Sequence, residues 1–331
     1  MKSLVKIIIP VLILTACGNK ESVSPFDEIL SQPPYVALTD SIKRNPAQDE
    51  LYFRRAVLLN KNNLPEPALA DFRKAWTLKK DDRYAFGISK ILLDSKPDSA
   101  VAFLNGALKE MPNSPFLMIN LIHAYQALNK FPEALELCNK LLSVDPEQTD
   151  LLKMKADILD ATGDSTGSIH VLEQAYAVNP ADVELNYKLA YNYAQAKNPR
   201  AVSLCDSLAK ADSLAIHAEP YYFRGVYYAN INDKARALSF FNLAIQHDYN
   251  FLDAYMEKGI LQFDQGNMKD AYKTFNLAMT ISPSFADAYY WMGRCQEKQG
   301  DKEEAQLNYE RAYGLDKTLT EARDAAARIK N

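Results

Sequence analysis

Small and large apolar residues recur along this chain in a fixed order. Residues 266–283, GNMKDAYKTFNLAMTISP, place Gly266, Ala271, Phe275, Ala278 and Pro283 at gaps of five, four, three and five. Thirty-four residues later Gly300, Ala305, Tyr309 and Ala312 keep those gaps, and thirty-four earlier Asn232, Ala237, Phe241 and Ala244 do so. Followed along the chain, the first small residue is Ala68, Ala100, Ala134, Ser168, Ala201, Ala237, Ala271 and Ala305, at intervals of 32 to 36. Four residues on stand Phe72, Leu104, Cys138, Leu172, Cys205, Phe241, Phe275 and Tyr309, and seven on an Ala or Leu. Positions i, i+4 and i+7 share one face of an α-helix, so each set predicts an amphipathic helix.

A partner helix precedes each set. Twelve residues before the small residue lie Ala56, Ile88, Ile122, Ala156, Gly225, Gly259 and Gly293, with Ala190 eleven before in the fifth unit. Between the helices Asn63, Asn129, Gly163, Asn232, Gly266 and Gly300 mark turns, and Pro112, Pro146, Pro180 and Pro283 close units. The small residues imply close approach, with Gly or Ala on the first helix facing Ala on the second and the aromatic beside them. Eight helix pairs follow.

A thirty-four-residue period with aromatic, Gly/Ala, Ala, Phe/Tyr, Ala and Pro at these offsets resembles the tetratricopeptide repeat over residues 49–319. Departures are Ser168 in unit four, Cys and Leu in place of aromatic and Ala in units three and five, and Lys317 ending unit eight. The resemblance implies an all-α fold, a right-handed superhelical solenoid of antiparallel helix pairs. Residues 33–48 suit an N-terminal capping helix, and the polar, alanine-rich stretch 318–331 a C-terminal one. The fifth unit has a short turn, AKNPRA, and a long exit. That suggests a seam between units one to five (49–217) and six to eight (218–319).

The N-terminus is a separate device. Lys2 and Lys6 precede an apolar stretch from Ile7 to Leu14, too short to span a bilayer and suited to a secretory signal. Leu14-Thr15-Ala16-Cys17 then resembles the lipobox of bacterial lipoproteins. The resemblance implies that residues 1–16 are removed and that Cys17 is acylated. Lipid then anchors the chain, with 17–32 as a flexible tether. Gly18 does not match the aspartate of inner-membrane retention, which favours the outer membrane; periplasmic face and cell surface both stay open. Loss of 1–16 takes two lysines and no acids, leaving 36 cations against 42 acids. Such a balance carries no nucleic-acid footprint.

Candidate chemistry is sparse. His123, His170, His217 and His247 stand apart, with no metal-ligand spacing, so no metal or cofactor is expected. GDSTGS, 163–168, is the turn of unit four and lacks a nucleophile elbow, and no phosphate loop occurs. Enzyme activity is unsupported. Cys138, Cys205 and Cys295 fall at packing positions, and Cys138 and Cys205 sit two units apart, too far for a disulfide. Position two of a unit is acidic in seven cases: Glu50, Asp82, Asp150, Glu184, Glu219, Asp253 and Asp287. An acidic rim is one reading. Carboxylates at helix starts, where they meet free amides and the dipole, is the preferred one.

In the tetratricopeptide family, positions two, five, nine and twelve of a unit face the groove. Carried over, positions five and nine are Tyr187 and Tyr191, Tyr222 and Val226, Met256 and Ile260, Tyr290 and Arg294, with Phe263 at position twelve. These residues either meet a partner, which rigid rings with polar tips suit, or pack on one another. Units one to three carry Phe53, Val57, Ala85, Ser89, Ile119 and His123 there, not the family's carboxylate clamp for chaperone tails. The reading is a lipid-anchored adaptor that holds a protein or peptide segment in the groove of units five to eight, serving envelope assembly, secretion or peptidoglycan machinery. The alternative is a glycan-binding outer-membrane lipoprotein whose tyrosines stack on sugars.

Overall fold

Each helix of the chain begins and ends for a visible reason. The computed structural model describes residues 25–212 and 216–330, so the signal stretch, Cys17 and the first part of the expected tether lie outside the described residues. Among the described residues there are nineteen α-helices and no strand, and no helix is long and apolar enough to cross a membrane. Side-chain caps close the starts of several: Asp81 accepts from the Arg83 amide, Ser114 from Leu117, Asp182 from Leu185 and Asp233 from Arg236. The seven position-two acids all lie in first turns. Carboxylates there meet the positive end of the helix dipole.

The turns follow the sequence closely. Asn63, Asn129 and Asn232 adopt φ of 57°, 54° and 62°, and Gly163, Gly266 and Gly300 φ of 81°, 81° and 86°. The short fifth turn puts Lys197 in the same left-handed conformation, φ 58°. A Cβ there costs about 1–2 kcal/mol. Lys197→Gly relieves that strain, less about 0.4–1 kcal/mol of added freedom in the unfolded chain. The expected outcome is a small rise in the urea midpoint, where a Lys197→Val change lowers it.

Contacts divide the chain at 130/131 into two compact units. The first, described from residue 25, holds α1 (Asp27–Leu30), α2 (Val36–Arg44), α3 (Asp49–Lys61), α4 (Pro65–Leu78), α5 (Asp82–Ser95), α6 (Pro97–Glu110) and α7 (Pro115–Ala127). The α2 helix lies within the stretch 33–48 and packs on α3. The stretch before it is held as well, since Leu30 is buried and the Thr39 hydroxyl donates to its carbonyl at 2.8 Å. The described end of the expected tether is thus packed. Arg55 of α3 reaches Asp71 of α4 through Nε at 2.6 Å and NH2 at 2.8 Å, and its NH1 donates to Thr39 Oγ1 at 2.8 Å. This buried fork ties α2 to the first helix pair.

The second unit, 131–330, holds α8 (Phe131–Leu142), α9 (Thr149–Ala161), α10 (Ser165–Val178), α11 (Val183–Gln195), α12 (Arg200–Ala211), α13 (Glu219–Asn230), α14 (Lys234–His247), α15 (Leu252–Asp264), α16 (Met268–Ile281), α17 (Ala286–Gln299), α18 (Lys302–Leu315) and α19 (Thr320–Lys330). Helices α9 to α18 pack as consecutive pairs, and α19 packs on α18. The close approach expected at the glycines has a definite geometry. A Cβ added at Gly225, Gly259 or Gly293 would come closer than 3.0 Å to the ring of Phe241, Phe275 or Tyr309 respectively. The aromatic rests directly on the glycine, and a Cβ at Gly293 would also meet the Ala305 carbonyl at 3.1 Å. A flat ring needs the missing side chain beneath it, which the alanines do not.

Departures from the repeat are accommodated locally. Ser168, in place of Ala, is fully buried and accepts from Asn192 Nδ2 at 3.0 Å, which satisfies its hydroxyl. Cys138, Cys205 and Cys295 are free and buried. Burial pushes the Cys138 thiol up to about 11 and the other two up to about 12, so all three are inert fillers at neutral pH.

Candidate binding site on the first helices of repeats five to eight

The predicted stripe lies on α11, α13, α15 and α17, the first helices of repeats five to eight. Spacing of i, i+4 along α11 puts Tyr187 and Tyr191 one turn apart, and their rings meet Phe223 of α13 at 6.2 and 5.5 Å. Tyr222 lies 5.8 Å from the same ring. Phe223, itself buried, is therefore the hub of a three-tyrosine patch. Tyr191 is 38% exposed, the most open ring of the patch, and its hydroxyl accepts from Gln195 Nε2 at 2.8 Å. A cleft of about 350 Å³ runs beside it, lined by Asp160, Ser165, Lys188, Tyr191, Asn192 and Gln195.

Tyr187 and Tyr222 are half-buried. Burial pushes the Tyr187 hydroxyl up to about 12, and the charges of Glu219 and Asp212 add to the effect. Tyr222 is raised by burial first, then by Glu257 and Asp253. It also packs on Phe241 at 6.0 Å and Phe251 at 5.2 Å, so its body belongs to the core and its tip to the surface.

Other residues of the stripe face packing. Val226, Met256 and Phe263 are buried, at 5%, 9% and 7% exposure. Val226 joins the core that includes Leu261 of α15, while Met256 and Phe263 pack with Phe275, Met292 and Cys295. Ile260 is half-buried against that second core. The next repeat's first helix supplies side chains that cover these positions. Tyr290 turns toward Tyr309, 5.7 Å away, and packs with Ala305 and Ala326. Arg294 lies over Trp291 at 4.2 Å and Phe263 at 4.8 Å, and makes no ion pair among the described residues. The stripe therefore comprises a tyrosine patch in repeats five and six, a packed middle, and a stacked arginine in repeat eight.

Sequence reasoning missed the column two residues before the repeat's Gly or Ala. There Phe223, Glu257 and Trp291 follow one another at thirty-four-residue spacing, and all three touch or charge the site. Two aromatics two periods apart, Phe223 and Trp291, were the available signal.

A cleft of about 630 Å³ lies elsewhere, in the first unit, lined by Asn60, Glu66, Arg73, Asp94 and Lys96 among others. It mixes both charge signs and no aromatic face lines it, so volume alone gives it no recognition chemistry.

Comparison with known proteins agrees with the geometry. One family profile described as tetratricopeptide repeat matches residues 92–158, and a second so described matches 252–285 and 286–319. The latter two spans are the seventh and eighth repeats as counted above. No curated protein sequence matches the chain. A crystal structure of a tetratricopeptide repeat protein from Parabacteroides merdae ATCC 43184 is similar at 19% identity and a TM-score of 0.61, covering 76% of this chain and 99% of its own. A thermophilic TPR protein of Thermus thermophilus is similar at 18% identity and a TM-score of 0.45, covering 55% of this chain and 98% of its own. Only the first carries weight for the fold. Repeats of this kind mediate protein–protein contacts. With consecutive helix pairs, the Asn/Gly turns and the ring-on-glycine contact in place, residues 92–158 and 252–319 are tetratricopeptide repeats and the fold is that of a tetratricopeptide-repeat protein.

Proposed function

We propose that this chain is a lipid-anchored adaptor of the bacterial outer membrane, tethered through Cys17, whose first helices in repeats five and six hold a segment of a protein partner. The observation that supports the partner site is the tyrosine patch. Three rings converge on Phe223, with Tyr191 open to solvent on rigid helices. Tyrosine ordered in this way offers contact area at little entropic cost. The anchor rests on the Leu14–Cys17 motif and the short apolar stretch before it. Assembly of envelope, secretion or peptidoglycan machinery is the setting such an adaptor suits.

Two variants test the two halves. Tyr187→Ala with Tyr191→Ala is expected to abolish capture of the partner from native membranes while the far-ultraviolet circular dichroism stays that of wild type. Unchanged capture refutes the patch. Cys17→Ser is expected to move the protein to the soluble fraction, and continued sedimentation with membranes refutes the anchor.

A further inference from the structure

We propose that the tyrosine patch of repeats five and six, with the carboxylates of Glu219, Asp253 and Glu257 around it, seats a lysine or arginine side chain of the partner segment. This rests on the adaptor reading and specifies the chemistry of what is held. Asp253 and Glu257 stand one turn apart on α15, hence on one face. Both bear electrostatically on the Tyr222 hydroxyl, and Glu219 bears on that of Tyr187. Glu257 is half-buried and makes no ion pair or hydrogen bond among the described residues. Burial, followed by the charge of Asp253, raises its carboxyl. A carboxylate removed from water without a counter-ion gains from a cation brought to it.

The cations nearby are committed elsewhere. Lys188 pairs with Asp157, Arg224 with Asp206, and Lys153 is shared by Asp150, Asp182 and Glu184 at 3.2, 3.1 and 2.9 Å. Lys258, the next residue on α15, bears on Asp270 instead. The rings tell the same story. Arg294 lies over Trp291, and Arg236 over Tyr228 at 4.2 Å, whereas among the described residues no cation lies over Tyr187, Tyr191 or Tyr222. The same chain thus shows what complements such ring faces when its own sequence supplies it. A side chain combining a long apolar stem with a cationic head fits both the rings and the acids.

The test uses the full-length chain in detergent, titrated with an end-capped tetralysine peptide and with its fully Nε-acetylated form. Tetralysine is expected to bind and the acetylated peptide not to bind. Glu257→Gln is expected to weaken tetralysine binding at least tenfold. Glu303→Gln, which neutralises an exposed acid on α18, is expected to change it less than twofold. Equal weakening by both variants means diffuse attraction to an acidic chain and overturns the proposal, as does failure of tetralysine to bind. An unaltered thermal midpoint in Glu257→Gln excludes loss of fold as the cause. Native partner capture separates the two levels. If the Tyr187/Tyr191 double variant loses the partner and Glu257→Gln keeps it, the patch stands and the cation seat falls.

Discussion

Asp71→Ala is expected to destabilise the first unit by about 3–5 kcal/mol, the cost typical of breaking a buried ion pair by removing one partner. Arg55 and Asp71 side chains are only 7% and 8% exposed, and two of the guanidinium's donors end on that carboxylate. Alanine at 71 leaves the positive charge buried, with Thr39 as its remaining partner. Burial raises the Asp71 carboxyl against the lowering pull of Arg55, and buried pairs of this kind often add little net stability. Removing both charges should therefore cost far less than removing one. Arg55→Met with Asp71→Leu is expected to unfold within about 1–2 kcal/mol of wild type, because well-packed apolar substitutes for such pairs are often neutral. Urea unfolding checks both variants, and equal losses in single and double variants would contradict the assignment. Hydrogen exchange adds a spatial check, since α2 to α4 should lose protection in the single variant while α15 to α18 keep it.

Phe241→Ala is expected to cost about 3–5 kcal/mol, the range for truncating a buried phenylalanine. The ring is fully buried between Ala237 and Ala244 on its own helix, rests on Gly225 of α13, and supports Tyr222 from below. Its loss removes packing from both helices of repeat six at once. Gly225→Ala probes the same contact from the other side, and the overpacking it forces should cost about 1–3 kcal/mol. If the ring does sit on the glycine, Gly225→Ala combined with Phe241→Leu is less destabilising than the sum of the singles. Because neighbouring repeats share interfaces, the effect is expected to spread to α11 and α15 and to fade beyond them. Amide exchange resolved by helix reads this directly. Strict additivity in the double variant would place the ring elsewhere.

The fold was legible because one period governs it. Positions such as Ala237, Phe241 and Ala244 specify a helical face, and Asn63 or Gly266 specify a left-handed turn, whatever lies far away in sequence. Lys197 was not legible, since its left-handed backbone is imposed by the shortened turn and not by its own preference. The Arg55–Asp71 fork was equally hidden, because two charges sixteen residues apart look like solvated surface until the helices pair. At the candidate site, the clustering of Tyr187, Tyr191 and Tyr222 on the first-helix face follows from their register. Val226, Met256 and Phe263 share that register, yet their exposure is decided by what the next repeat lays upon them, such as Leu261 or Met292. Phe223 and Glu257 fell in a column that the family's groove positions skip, and only contact with the tyrosines reveals their part.

The central claim is that the first-helix face of repeats five and six is where a partner lies. Photocrosslinking tests it most directly, with benzoylphenylalanine placed at Tyr191 or, on the second-helix face, at the exposed Leu307. Irradiation of cells expressing each form should give a discrete protein adduct from position 191 and none from 307. Adducts of the same size from both positions, or none from 191, would contradict the account.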